Sequence, residues 1–334
     1  MDLRRCRSAT VAAIKWLLTQ QNPDGSFAPA EYGMATHNKL LWALNDMGQQ
    51  PKAAQLSAWL REHALDEEGD FSGLTRSTPY DHYYAVGNAF LACGAMRLGQ
   101  FAVAYPALGL LTSLQHPRSG GFLTAGPQAA LTAEQDLVTT ALCGLACLQG
   151  GQLEAAEAAG RFLLDLWEAQ PGGAAARLFL AATGDKPALV TKCEAGQGAW
   201  YAVDTNLPEQ SYHAPALAAG FLALVHDASG ETSYLEGTHR YLQFLDSCHE
   251  DRFQGEHSAW VAWAGAIAFE MTGNANYQRN AERAVDGLLA TQLANGSWLK
   301  GSAGADLTSD VVDATAEGII ALNQAMRSIV SAEE

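Results

Sequence analysis

Trp16-Leu17-Leu18-Thr19-Gln20-Gln21-Asn22-Pro23-Asp24-Gly25-Ser26-Phe27 holds a phrase that returns along the chain: an aromatic or leucine, three residues, glutamine, a few polar residues, then glycine-x-aromatic. Read as Trp16-x3-Gln20 followed by Gly25-Ser26-Phe27, it recurs as Leu111-x3-Gln115 with Gly120-Gly121-Phe122. It returns again as Leu288-x3-Gln292 with Gly296-Ser297-Trp298, and a degenerate copy, Trp59-x3-His63 with Gly69-Asp70-Phe71, puts histidine in the glutamine slot. A phrase repeated at helix ends marks an array of similar helical units, each unable to bury its apolar face without its neighbours.

Working outward, apolar residues recur at helical spacing in two kinds of stretch. Amphipathic stretches cover about 8–21, 52–65, 101–115, 154–169, 233–248 and 276–292. Stretches apolar nearly all round, rich in alanine and glycine, cover about 33–48, 81–98, 132–148, 212–226, 257–272 and 309–327. A helix apolar on every side is buried on every side. Alternation of the two kinds predicts concentric rings of six outer and six inner helices, an all-α (α/α)6 toroid spanning 1–334 as one domain. Thr132, Ser211 and Ser309 read as N-caps of inner helices. The long interval between the inner stretches at 132 and 212 holds an insertion, where 177–183 and 187–192 read as strands flanking the turn signal Gly184-Asp185. Residues 199–204 add a further strand, and the insertion is expected to lie over a barrel mouth.

Composition agrees with a large core: 48% of the 334 residues are hydrophobic, and only 17% are charged against roughly 25% in ordinary domains. The formal net charge of −16 leaves no basic stripe for nucleic acid or anionic lipid. No apolar run reaches the roughly 18 residues that suggest a membrane span. The six scattered cysteines follow no disulfide spacing, which suggests buried thiols and a cytoplasmic protein.

The glycine-x-aromatic turns lie between each outer helix and the next inner helix, so they collect at one rim with the positive ends of the inner helices. There the sequence places Tyr32, His37, Tyr80, Asp81, His82, Tyr83, Tyr84, Glu134, Asp136, Tyr212, His213, Glu256, His257, Trp260, Trp263, Asp310, Asp313 and Glu317. Asp313, Asp136, His82, Asp81 and His213 are the acid and base candidates. His37, Tyr83, Tyr84, Tyr212, His257, Trp260, Trp263, Asp310 and Glu317 are candidates for binding a small-molecule substrate.

The repeated phrases, with Asp313-Ala314-Thr315-Ala316-Glu317-Gly318, resemble the terpenoid cyclase and protein prenyltransferase toroids. The hexapeptide is similar to the Asp-Cys-Thr-Ala-Glu-Gly stretch of oxidosqualene cyclases. The resemblance implies acid-initiated cyclisation or isomerisation of a small apolar substrate, isoprenoid or polyketide-like, with Asp313 as the acid. Aromatic faces of Tyr83, Tyr84, Trp260 and Trp263 would then stabilise a cation.

Cys248-His249 is similar to the zinc pair of lanthionine cyclases, but only Cys193 could add a further thiolate, so no metal is expected. No nucleotide or phosphate fingerprint is present, and no cofactor is expected. A second reading is a carbohydrate-active (α/α)6 enzyme, an unsaturated-uronide hydrolase, lyase or epimerase, with Asp81, Asp136 and His213 as acid and base. A third is a non-catalytic binding toroid. Arg76, Lys300 and Lys39 are the few basic residues near the mouth, which weighs against a uronate.

Overall fold

The structure, a computed structural model, describes residues 1–28, 33–299 and 309–333. Tyr32 and Lys300 fall outside these residues, as does the side chain of Glu256.

Outer helix α1 (Leu3–Thr19) leads into an inner helix in two pieces, α2 (Met34–His37) and α3 (Leu40–Asp46). Outer and inner helices then alternate as α4 (Gln50–His63) and α5 (Tyr84–Arg97), and as α6 (Phe101–Ser113) and, after the short strand β1 (Gln135–Asp136), α7 (Leu137–Gln149). Outer helix α8 (Leu153–Glu168) precedes the insertion, which holds β2 (Arg177–Phe179), β3 (Ala181–Thr183), β4 (Ala188–Leu189), α9 (Gly198–Tyr201) and β5 (Ala202–Asp204). Inner α10 (His213–Ser229), outer α11 (Thr232–Ser247), inner α12 (Ser258–Thr272), outer α13 (Ala275–Ala290) and inner α14 (Ser309–Glu333) complete the chain.

The inner helices close on themselves: α3 packs on α5, α5 on α7, α7 on α10, α10 on α12, α12 on α14 and α14 back on α3. This is the expected (α/α)6 toroid. Every residue of α12 from Ser258 to Ala268 is buried, whereas α13 buries only the stripe Tyr277, Ala281, Ala284, Val285, Leu288 and Leu289. Small residues on the inner helices let them approach: a Cβ on Gly220 of α10 would collide with the Trp263 ring of α12. No helix among the described residues is long and apolar enough to cross a membrane.

The repeated phrase is the fastener of the outer ring. Gln115 Nε2 donates to Gly120 O at 2.9 Å and to Ala155 O of α8 at 2.9 Å. Gln292 Nε2 donates likewise to Gly296 O and, at 2.9 Å, to Ala9 O of α1, joining the last outer helix to the first. In the first copy the residue that does this is Gln21, bonded to Gly25 O (3.2 Å) and Lys52 O (3.0 Å), while Gln20 turns back to Thr19 and Trp16. The phrase therefore reads Leu17-x3-Gln21, one residue later than the Trp16-x3-Gln20 register. The aromatic's N–H completes the fastening: Phe27 N donates to His37 Nε2, Phe122 N to Thr140 Oγ1 and Trp298 N to Thr315 Oγ1. Glycine is required because its φ is positive and the turn lies flat on the next outer helix. Gly296 has φ +95, and a Cβ there would sit 2.6 Å from the Ala12 backbone.

Two helix starts differ from expectation. Inner helix α7 begins at Leu137 rather than Thr132, because Asp136 is its N-cap, its Oδ1 accepting the Thr139 N–H at 2.8 Å. Ser211 does not cap α10; its hydroxyl donates to Ala199 O in the insertion. In the insertion the hairpin forms across Gly184-Asp185, β3 pairing with β4. The strand read at 177–183, however, divides at Leu180 into β2 and β3, and the one read at 187–192 shortens to Ala188–Leu189. The one read at 199–204 begins as helix α9 and is extended only from Ala202. β3 also pairs with β1 at the start of α7, and β2 pairs with β5, which together hold the insertion over the rim.

Candidate functional site

At the rim where the inner helices start, a cavity of about 390 Å³ enters the barrel. Its walls come from distant parts of the chain: Lys39, Tyr80 and Tyr83, His213, His257 and Trp260, and Glu317. The insertion supplies Trp200 and the 209–211 segment, so it covers the mouth as expected. Trp200 rests on His82 (ring centroids 4.9 Å apart) and stands edge-on to Tyr83 (5.4 Å). On the far side Trp260 stacks on Phe90 at 5.6 Å. The lining thus mixes aromatic and aliphatic side chains, with two half-buried histidines from the starts of adjacent inner helices.

The floor carries a buried charge cluster. Lys39 Nζ lies 2.7 Å from Asp313 Oδ1 and 3.0 Å from Glu317 Oε2, and it donates to Tyr80 Oη at 3.2 Å. Asp313 Oδ1 also accepts from Tyr80 Oη (3.1 Å) and Asn38 Nδ2 (3.2 Å). Burial alone would push the Lys39 ammonium toward neutrality. Asp313, then Tyr80 and Glu317, reverse this and raise its pKa well above the ordinary value, so it stays charged. Lys39 extends from the break between α2 and α3, where the phrase at Phe27 and His37 fixes the chain.

The other residues expected at the mouth serve elsewhere. Asp81 is exposed and accepts from Thr78 Oγ1 and the His82 N–H, outside the cavity lining. Asp136 is buried as the α7 cap and also accepts from Thr124 Oγ1 at 3.0 Å; burial raises its pKa against these bonds. His37 is wholly buried within the fastener and stacked on Trp59. Tyr84 donates to Asp70, which Arg76 also binds at 2.6 Å, with the guanidinium over the Tyr84 ring. Tyr212 is buried behind the cavity wall, Trp263 packs on Gly220, and Asp310 is exposed on the first turn of α14.

The turn before α12 holds a second cluster. Asp251 Oδ1 accepts from Tyr212 Oη at 2.6 Å and lies 2.9 Å from His249 Nδ1, while Oδ2 accepts the Glu209 N–H at 2.5 Å. Burial would raise the Asp251 carboxyl, but these hydrogen bonds outweigh it and hold the pKa below the usual range. The Cys248 thiol donates to Phe244 O, and Cys193 is exposed in the insertion. Among the described residues, no three His, Cys, Asp or Glu side chains are placed to hold a metal.

A larger, open groove of about 790 Å³ lies at the opposite end, lined by the last turns of the inner helices and by α1. It holds neither a histidine nor an aromatic ring, so the smaller cavity is the candidate site.

Two residues of the cavity carried signals that motif spacing does not weigh. Lys39 is the one lysine or arginine within the inner stretch 33–48, where only a partnered cation persists. Trp200-Tyr201 is an aromatic pair inside a polar insertion.

No protein-family model and no curated protein matches the chain. Solved structures do match it over nearly the full length. A D-mannose isomerase superposes with a TM-score of 0.71 at 11% identity, covering 96% of this chain and 97% of that one. The cellobiose 2-epimerase of Spirochaeta thermophila gives 0.69 at 15% identity, covering 99% and 98%. An unsaturated glucuronyl hydrolase specific for heparin gives 0.64 at 12%, covering 97% and 96%. At these identities the likeness defines the fold, an (α/α)6 toroid shared with these enzymes.

This overturns the terpenoid cyclase resemblance. Its carriers have other work: the glutamine phrases fasten outer helices, and in Asp313-Ala314-Thr315-Ala316-Glu317-Gly318 the threonine and glycine seat the Trp298 turn. Asp313 is the ion-pair partner of Lys39, not a solitary buried acid.

Proposed function

We propose that the protein is a single-domain carbohydrate-active enzyme, an isomerase or epimerase that moves a proton at the carbon beside a sugar carbonyl. The observation that carries this reading is the pair His213 and His257, which start adjacent inner helices and line one cavity. Imidazoles suit proton abstraction near neutral pH. The cavity volume lies at the lower end of the roughly 300–1,000 Å³ of small-molecule sites, and Trp200 and Trp260 offer faces for a sugar ring. The D-mannose isomerase and the cellobiose 2-epimerase, both on this fold, support it.

One imidazole takes the C2 proton of an open-chain aldose, and the electron pair moves through C1 to the carbonyl oxygen, giving an enediolate. Return of a proton to the opposite face of C2 gives the epimer. Return to C1, with the O2 proton passing to O1, gives the ketose. The positive helix ends favour the enediolate's negative charge, whereas the Lys39 ammonium is already matched by Asp313 and Glu317. Hydrolysis is the weaker reading because it asks for two carboxylates free to act on the glycosidic bond. Asp81 faces solvent, Asp136 caps α7 and Glu317 is bound by Lys39.

The test is incubation with D-mannose, D-glucose, D-fructose and cellobiose in D2O, followed by NMR. Interconversion is expected, with deuterium at C2 of an epimer or at C1 of a ketose, slowed at least about 100-fold in His213→Ala and in His257→Ala. A wild-type protein that neither interconverts nor exchanges any of these sugars would overturn the reading.

A further inference from the structure

We infer that Tyr212 and Asp251 form one positioning unit that sets the orientation of both histidines. The inference rests on the sugar isomerase reading for its kinetic consequence but not for its geometry. Tyr212 immediately precedes His213, is fully buried, and does not line the cavity. Its ring stands edge-on to His257, with centroids 5.3 Å apart and planes at 83°. One side chain therefore touches the second imidazole and adjoins the first in the chain.

The Tyr212 hydroxyl, which also faces Leu207 O at 3.2 Å, reaches Asp251 at 2.6 Å. Asp251 belongs to the short 3-10 turn Glu250–Phe253, which comes just before the turn Gly255–His257. Its other oxygen holds the Glu209 N–H, and Glu209 has φ +55, a left-handed conformation that a non-glycine residue keeps only under external constraint. The same carboxylate thus ties the insertion's return arm, which lines the cavity at 209–211 and runs into His213, to the segment bearing His257. Core packing alone would be met by phenylalanine at 212, with no carboxylate to desolvate. The hydroxyl and the carboxylate add direction rather than volume.

Tyr212→Phe and Asp251→Asn test this. Each is expected to keep its melting temperature within about 3 °C of wild type and KM within about twofold, while kcat falls about ten- to hundredfold through imidazole misplacement. C2 deuterium exchange per net turnover should rise, because the second proton transfer suffers most. The double variant should be no slower than the slower single one, as for two parts of one device. Independently of any activity, the imidazole 15N–1H resonances of His213 and His257 should both move in each variant. Wild-type kcat, or imidazole resonances that stay in place in both variants, overturns the inference. If wild type turns over no sugar, the sugar reading fails, and the resonances still decide the positioning role.

Discussion

His37 shows how one buried side chain converts pH into stability. Its Nδ1 bonds Gly33 O at 3.0 Å and its Nε2 accepts the Phe27 N–H at 3.3 Å, so the ring is seated as the neutral form. Burial pushes its pKa from 6.5 down to about 4. The unfolded chain binds this proton first, so the stability at stake is fully present above about pH 6.5 and is lost as pH falls toward 4. Between pH 7 and pH 5 the residue should cost about 2 kcal/mol of unfolding free energy. Urea titrations of wild type and His37→Gln at both pH values check this, the variant being expected to show a slope shallower by that amount. Equal slopes would refute it. Lys39 teaches the complementary lesson: a cation on a buried helix is visible in sequence, but its two carboxylate partners lie some 275 residues away and only the closed ring brings them to it.

At the scale of the element, the turn phrase was readable as a repeat and therefore as a ring of helices. Its register and purpose were not. Trp16 and Leu17 both satisfy an aromatic-or-leucine pattern, and only the hydrogen bonds of Gln21 to Gly25 O and Lys52 O separate the fastener from its neighbour Gln20. Gln21→Leu should therefore destabilise by about 2 kcal/mol, since it strands carbonyls at a packed turn, whereas Gln20→Leu should cost under about 0.5 kcal/mol. Chemical denaturation of both variants decides, and the reverse order would return the phrase to its earlier register. The acid candidates failed to gather for a related reason. An aspartate at a helix start reads alike whether it caps, as Asp136 does, or faces solvent, as Asp81 does. The histidines at 213 and 257 were legible because helix spacing alone puts both at the rim. Trp200 was not, because its place over the mouth depends on β3 pairing with β1, a long-range strand contact with no local signature.

For the molecule as a whole, the consequential feature is that the array closes. In an open stack of repeats each unit feels only its neighbours, so damage at one junction frays the nearest helices and spares the rest. Here α14 packs against α3, and the Gln292 turn is fastened to α1, so no repeat is terminal. Gly296→Ala strikes this junction twice, through a φ of +95 that alanine resists and through a Cβ only 2.6 Å from the Ala12 backbone. The cost should exceed about 2 kcal/mol. Its distribution is the informative part. If the ring unfolds as one body, native-state hydrogen exchange should show protection falling by a similar free energy in α7 and α10, on the other side of the barrel, as in α1 and α13. Loss confined to α1 and α13 would mean that the toroid behaves as a solenoid whose ends merely touch. The distinction bears on the site, because Lys39 lies on the first inner helix and Asp313 and Glu317 on the last. An opening at this junction would separate the cation from its carboxylates, and the cavity floor would be lost with every residue of its lining unchanged.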